Sequence, residues 1–406
     1  MHVKFLSFKL LLSTFLSFGT LYTIANQDFL VKDLDNTVIS LITCDPGNEI
    51  YSHFGHSALR IKNINKKVDL VVNWGLFSFS GGQFQFGYDF AKGRLKYKMG
   101  FQLMDDFIYE YKESKRGLRE QILNINNEQK KNLLKKINEN YKPENREYRY
   151  EFFYDNCSSR IRDIISATLG DQLKLTVSAD ANKYSFRDII HQYLKNDPWL
   201  ELGIDLVLGK RIDVIVDNKN LMFLPKYMEE IFDKSTIEIG NSKKQLILKR
   251  NEIIKNQPKE LEKSNITKYS WIIFVLTILL LILKKEKIFD YWSIINFSTF
   301  GILGLLLIFM WIGTDHQATK YNLNLLWASP FSLLMVYFII SKKWNILSYW
   351  CIIISLALIF TTILFWFTII QELNDFVKPI IPQLGLIYYY YFKKNKNLIN
   401  LNSTKD

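Results

Sequence analysis

Arg146–Gly170, REYRYEFFYDNCSSRIRDIISATLG, changes its period partway along, and that change decides the fold. Over Arg146–Asp155 aromatic and polar residues alternate, as in a half-buried strand. Beyond Asn156 the apolar residues Ile161, Ile164, Ile165 and Leu169 recur at helical spacing, and Gly170 suits a helix stop. A strand running straight into a helix sets Cys157 at the junction. There the positive end of the helix dipole favours a thiolate.

Working outward, Thr37–Cys44 (TVISLITC) reads as a strand followed by the turn signal DPGN, and EIYSHF as one or two helical turns. HSALRIKN and VDLVVNWG form a hairpin joined by INKK. NNEQKKNLLKKINENY is a helix that starts at Asn126 or Asn127 and ends before Pro143. Residues 26–267 therefore read as an α+β domain, a small antiparallel sheet plus helices. No internal repeat interrupts it.

The ends of the chain differ in character. Lys4 and Lys9, the apolar run Leu10–Tyr22 and the small-residue site Thr23-Ile24-Ala25 mark residues 1–25 as a secretory signal, cleaved or kept as an anchor. Five apolar blocks follow the α+β region: Tyr269–Leu283, Tyr291–Gly313, Leu325–Ser341, Ile346–Ile370 and Val377–Phe392. A bilayer crossing takes about 20 apolar residues, so residues 268–397 read as an all-α multi-span membrane domain of about five helices. Residues 398–406 form a tail. The loops and tail rich in lysine (Lys284, Lys285, Lys287; Lys342, Lys343; Lys393, Lys394, Lys396) belong inside. GTDHQATKYN and QELNDF then lie outside, and the parity leaves residues 26–267 outside too, as the signal requires.

The formal net charge is +12, from 52 Lys and Arg against 40 Asp and Glu. Much of that excess is the inside lysines, which suit anionic lipid headgroups, so no nucleic-acid partner is expected. The three cysteines are Cys44, Cys157 and Cys351. Cys351 falls in an apolar block as a small hydrophobe, whereas Cys44 and Cys157 are both exported and open to disulfide pairing.

A nucleophilic thiol needs a base, and His53, His56 and His191 are the exported histidines. His56 opens a strand behind Gly55 and shares a face with Ala58 and Arg60. Asn73, Asp155 and His53 compete to orient it. Arg160 and Arg162 add positive potential beside Cys157. The pair His53-x-x-His56 lacks a third and fourth ligand, and no CxxC or HExxH accompanies it, so neither metal nor cofactor is expected. Structural readings stay open at this point: a buried packing cysteine and a strand histidine satisfied by its neighbours.

TCDPGNEIYSHFGHSALRI, VVNWGLFSF, REYRYEFFYDNCSSRIRDII, SFRDIIHQYLKNDPWLELGIDLVLGKRID and MFLPKYM, together with DHQATKYNLNLLWASP, resemble the Lnb-type bacterial lipoprotein N-acyltransferases. The histidine-then-cysteine order is also similar to permuted papain-like thiol enzymes, such as lecithin:retinol acyltransferase and NlpC-like peptidases. The resemblance implies Cys157 as nucleophile, His56 as base and Asn73 as third member. His53, Asp155, Asn156, Arg160 and Arg162 are then supporting or substrate-binding residues. It implies a bacterial inner-membrane enzyme that acts on diacylglyceryl-lipoproteins and membrane phospholipid, with its catalytic domain on the periplasmic side. Asp315 and His316, in an outside loop, are further substrate-site candidates. Arg187, Trp199, Asp205 and Asp213 match the later motif and read as structural, Trp199 as part of a packed helix–turn and His191 as non-catalytic. A Cys-His hydrolase acting on cell wall or lipid, and a non-catalytic membrane scaffold, are the competing readings.

Overall fold

The computed structural model describes residues 32–403 apart from 50–51, 78–84, 86–87, 90, 258–264, 367 and 369–370. The signal segment 1–25 lies outside the described residues. Chain contacts separate two compact units. One holds residues up to 183 together with 216–260, and the other holds 184–215 together with the chain from 261 onward.

The first unit is built on a seven-stranded antiparallel sheet. Its strands are β1 (Thr37–Cys44), β2 (His56–Asn63), β3 (Val68–Phe77), β4 (Lys96–Leu103), β5 (Leu118–Leu123), β6 (Glu147–Arg149) and β10 (Ile247–Ile254), in the order β10-β5-β1-β2-β3-β4-β6. A small second sheet joins β7 (Leu173–Lys174), β8 (Thr236–Ile239) and β9 (Ser242–Gln245). The expected β2–β3 hairpin is present, with Asn63 paired to Val68 across the INKK turn.

Successive residues of a strand face opposite ways, and β2 uses this to sit between two helical layers. Ala58 joins Ile42, Cys44 and Val71 in a buried cluster with Met104, Phe107 and Tyr111 of the helix Met104–Glu113. Its neighbour Ser57 bonds instead to Ser158 on the helix Cys157–Leu169, with 2.9 Å between the two Oγ atoms. Ile161, Ile165 and Leu169 of that cysteine helix are buried as their spacing predicts, while Ile164 is only partly covered. The helix Asn127–Tyr141 starts under a capping box made by Asn126 and Gln129.

Two local expectations change. Only Glu147–Arg149 of the aromatic run is a strand; from Tyr150 the chain turns, closed by the Glu151–Asp155 bridge. Phe152 and Phe153 leave the alternation because both pack on Phe223, at 5.7 and 5.6 Å between ring centroids. The sheet is also larger than the sequence suggests, since β4, β5 and β10 carry charged or polar residues that mask their alternation.

The second unit is helical. Its apolar part comprises Thr267–Leu283, Glu286–Ile312, Phe331–Ser341 (preceded by a short turn at Leu323–Leu326), Ile346–Leu364 and Val377–Ser403. Three stretches, Glu286–Ile312, Leu323–Ser341 and Ile346–Leu364, are long and apolar enough to cross a membrane, and Thr267–Leu283 is a shorter apolar helix. Val377–Ser403 is tied to its neighbours by buried polar pairs, including Gln383 to Asn296 at 2.8 Å and Tyr388 to Ser332 at 2.8 Å. Such bonds replace contacts that lipid cannot offer. The same unit includes the helices Phe186–Leu194 and Pro198–Val207, although hydropathy alone groups them with the aqueous domain.

Candidate active site

Two glycines shape the end of the sheet where the candidate histidine lies. Gly55, just before β2, has φ +81, and a Cβ there would lie 2.7 Å from the Cys44 carbonyl oxygen. Only glycine takes that conformation without strain and lets the chain approach β1 so closely. Gly75, at φ +100, lies in the β3 irregularity between Asn73 and Leu76, where a Cβ would meet His56 Cε1 at an ordinary 3.9 Å, so it is the backbone conformation that calls for glycine. A bulge of this kind re-aims the strand next to it.

Register then places the acceptor. Asn73 pairs with Ala58, so it is the diagonal neighbour of His56 on the same face. Asn73 Oδ1 lies 2.7 Å from His56 Nε2, and Asn73 is 7 % exposed. Oδ1 can only accept, so the proton of the neutral ring belongs on Nε2, and Nδ1 remains for the thiol.

Cys157 is the first residue of its helix. Asn156 caps that helix by accepting from the Ser159 N–H at 2.9 Å, and Ser159 Oγ accepts from the Asn156 N–H at 2.8 Å. Asn156 Nδ2 also donates to the Phe152 and Phe223 carbonyls at 2.6 and 2.9 Å. One buried amide thus locks the turn before the thiol to two other segments.

Burial opposes a charge on Cys157. The His56 imidazolium and its hydrogen bond, the Ser57 N–H and the Ser158 hydroxyl outweigh it, and the thiol titrates below its ordinary value. Burial likewise opposes protonation of His56, but the thiolate and Asn73 outweigh it and raise its pKa. The two shifts describe one coupled pair that favours thiolate and imidazolium together. Cys44 is the contrast within the same unit: burial pushes its thiol up to about 12. Both cysteines are free thiols, so the disulfide that the sequence leaves open is not formed.

The other candidates are placed differently. Both Asp155 carboxylate oxygens accept from Arg160, at 2.6 and 2.7 Å, so Asp155 is committed to that pair. Arg160 also stacks on Tyr148, 3.6 Å from the ring centroid. Arg162 is buried and bonds Asp163 and the Lys219 carbonyl. His53 lies edge-on to Phe54. Asp315 and His316 belong to the second unit, in the loop after Glu286–Ile312, as do Arg187, Asp205 and Asp213. The structure thus brings together Cys157, His56 and Asn73, and assigns Asp155, Asn156, Arg160 and Arg162 visible contacts that brace the cysteine helix.

Sequence reasoning passed over Ser57 and Ser158, each directly after a candidate catalytic residue, in HS and CS. It also missed Tyr148, which is 8 % exposed and whose hydroxyl has no hydrogen-bond partner among the described residues. Burial and the charge of Cys157 hold that phenol well above its usual range. The alternation REYRY was its only signal.

Residues 30–195 match the family model of the Lnb N-terminal periplasmic domain, and residues 265–397 match that of the Lnb transmembrane domain. Comparison with curated proteins and with solved structures returns no match.

Proposed function

The chain belongs to the Lnb-type family, as a membrane protein with a periplasmic α+β domain, and on that premise we propose that it is a thiol acyltransferase. The reaction is N-acylation of the N-terminal cysteine of bacterial lipoproteins at the inner membrane. The observation that carries the reading is the His56–Asn73 hydrogen bond beside Cys157, with Cys157 below and His56 above its ordinary pKa because each favours the other's charge. The order of histidine strand and cysteine helix, as in permuted papain-like enzymes, supports it.

The steps follow from these positions. The Cys157 thiolate attacks an ester carbonyl of the diacylglyceryl group. As the tetrahedral adduct collapses, the imidazolium of His56 gives its proton to the departing glyceryl oxygen, leaving a thioester on Cys157. The lipoprotein's α-amine then attacks the thioester, His56 takes the amine proton, and the thiolate leaves to give an amide. Asn73 holds the ring oriented through both steps. N–H groups at the start of the cysteine helix are suited to the oxyanion. When the donor is the lipoprotein's own second acyl chain, the product is an N-acylated lyso-form.

Reconstituted protein with a diacylated lipopeptide tests the reading. It predicts an N-acyl lyso-lipopeptide with little free fatty acid. Release of fatty acid without N-acylation would assign the dyad to hydrolysis instead.

A further inference from the structure

The helix Pro198–Val207 is built inside out. Its two charged residues, Glu201 and Asp205, fall one turn apart on one side. Asp205 is 2 % exposed; its carboxylate accepts from Arg187 at 2.6 Å, His191 at 2.9 Å and Asn374 at 2.8 Å. Arg187 is itself fully buried and also pairs with Asp213 at 2.8 Å. His191, Glu201 and Asp205 have the spacing of metal donors, but the Asp205 oxygens are already bonded to Arg187, His191 and Asn374, so this cluster is an internal polar brace.

The opposite side of the helix is apolar and only partly covered. Trp199 is 55 % exposed, Gly203 is exposed too, and Leu200, Ile204 and Val207 continue this side half-buried and without a charge. Water favours the reverse arrangement.

The stripe runs on into the apolar flank of the membrane domain. Trp199 stacks on Tyr269, at 6.2 Å and 22° between rings, and lies 6.0 Å from Phe376. Tyr269 is in the first turn of Thr267–Leu283, whose Trp271, Ile272, Val275 and Leu279 are all at least half exposed. The helix is fixed there at its far end. Asn322 donates to the Leu206 and Val207 carbonyls at 2.7 and 3.0 Å, Asn324 to those of Asp205 and Leu206, both at 3.1 Å. Leu202 enters the apolar core shared with the membrane helices.

We propose that Pro198–Val207 lies in the outer headgroup–acyl boundary of the bilayer, with Trp199, Tyr269 and Phe376 as its aromatic anchor and lipid covering the apolar stripe. Aromatic rings settle at that depth, and a helix with one apolar side lies in the plane there. Lys268, 5.2 Å over the Tyr269 ring, places a cation beside the same rings, where a lipid phosphate would meet it.

Full-length protein in lipid nanodiscs tests this. Comparing wild type with Trp199→Phe isolates the Trp199 emission. Lipids brominated near the headgroup should remove most of that difference, and aqueous iodide should leave it. Quenching by iodide without quenching by brominated lipid overturns the proposal, as does protection from both, which would mean that protein covers the patch. A Cβ at Gly203 meets nothing within 4 Å, so Gly203→Cys carrying a nitroxide gives a second reading. Oxygen should relax the label more than a water-soluble nickel complex does; the reverse order refutes the lipid assignment.

Discussion

His56 Nε2 and Asn73 Oδ1 are 2.7 Å apart across adjacent strands, on a diagonal set by the Ala58–Asn73 register. A hydrogen bond to a charged group contributes about 1.5–3 kcal/mol, and each 1.36 kcal/mol is tenfold in rate. Asn73→Ala should therefore lower kcat by about 10–100-fold. Asn73→Asp, which keeps an acceptor, should recover part of the loss. Equal activity of Asn73→Ala and wild type in single-turnover acyl transfer would remove Asn73 from the site.

Thiol alkylation followed against pH should separate the two exported cysteines. Cys157 titrates below the ordinary thiol value of 9.0 because of His56, Ser57 and Ser158, working against burial. It should react below that pH, whereas Cys44, raised to about 12, stays inert. In His56→Ala only burial and the weaker bonds remain, and the Cys157 titration should move upward. The alkaline limb of wild-type activity should fall above 6.5, because the pKa of His56 is raised. Its linkage to stability has the same sign: the His56 contribution is complete below 6.5 and is lost as pH rises through the folded pKa. The Cys157 contribution is present above 9.0 and is lost as pH falls through its lowered pKa.

Asn156→Ala should destabilise the periplasmic domain. Loss of a cap costs about 0.5–2 kcal/mol, and the Phe152 and Phe223 carbonyls also lose their donor. Thermal unfolding should show a lowered midpoint, with activity surviving in proportion to folded protein at low temperature. An unchanged midpoint would mean that the cap is replaceable.

Arg187→Leu should be more damaging, by about 3–5 kcal/mol, because it leaves buried carboxylates uncompensated. Asp205 and Asp213 both depend on that guanidinium. Burial already raises the pKa of Asp213 despite Arg187. Unfolding of the purified protein should reveal the loss, and adding Asp213→Asn should relieve part of it.

The cysteine and histidine were legible because each sits at a change of pattern: a strand period giving way to a helical one at Cys157, and glycine before a strand at His56. The third residue was less sharply marked in the sequence. Asn73, on the expected next strand, is the favoured acceptor, but Asp155 and His53 compete with it until the β2–β3 register is known and Arg160 is found holding Asp155. Strands β5 and β10 escaped notice because alternation fails where polar residues such as Glu120 and Gln121 are buried in side-chain bonds. Residues 184–215 group with the helical unit, which their polarity does not announce. Their charges Arg187, Asp205 and Asp213 count toward polarity in any hydropathy average, yet their side chains are buried in one network of ion pairs.

The most direct test of the account is mass spectrometry of lipoprotein N-termini from cells that carry the wild-type protein, lack it, or carry Cys157→Ala. The account predicts N-acylated lyso-form N-termini with the wild type only, and diacylglyceryl N-termini with a free amine in the other two. N-acylation that persists unchanged with Cys157→Ala as the sole copy would contradict it.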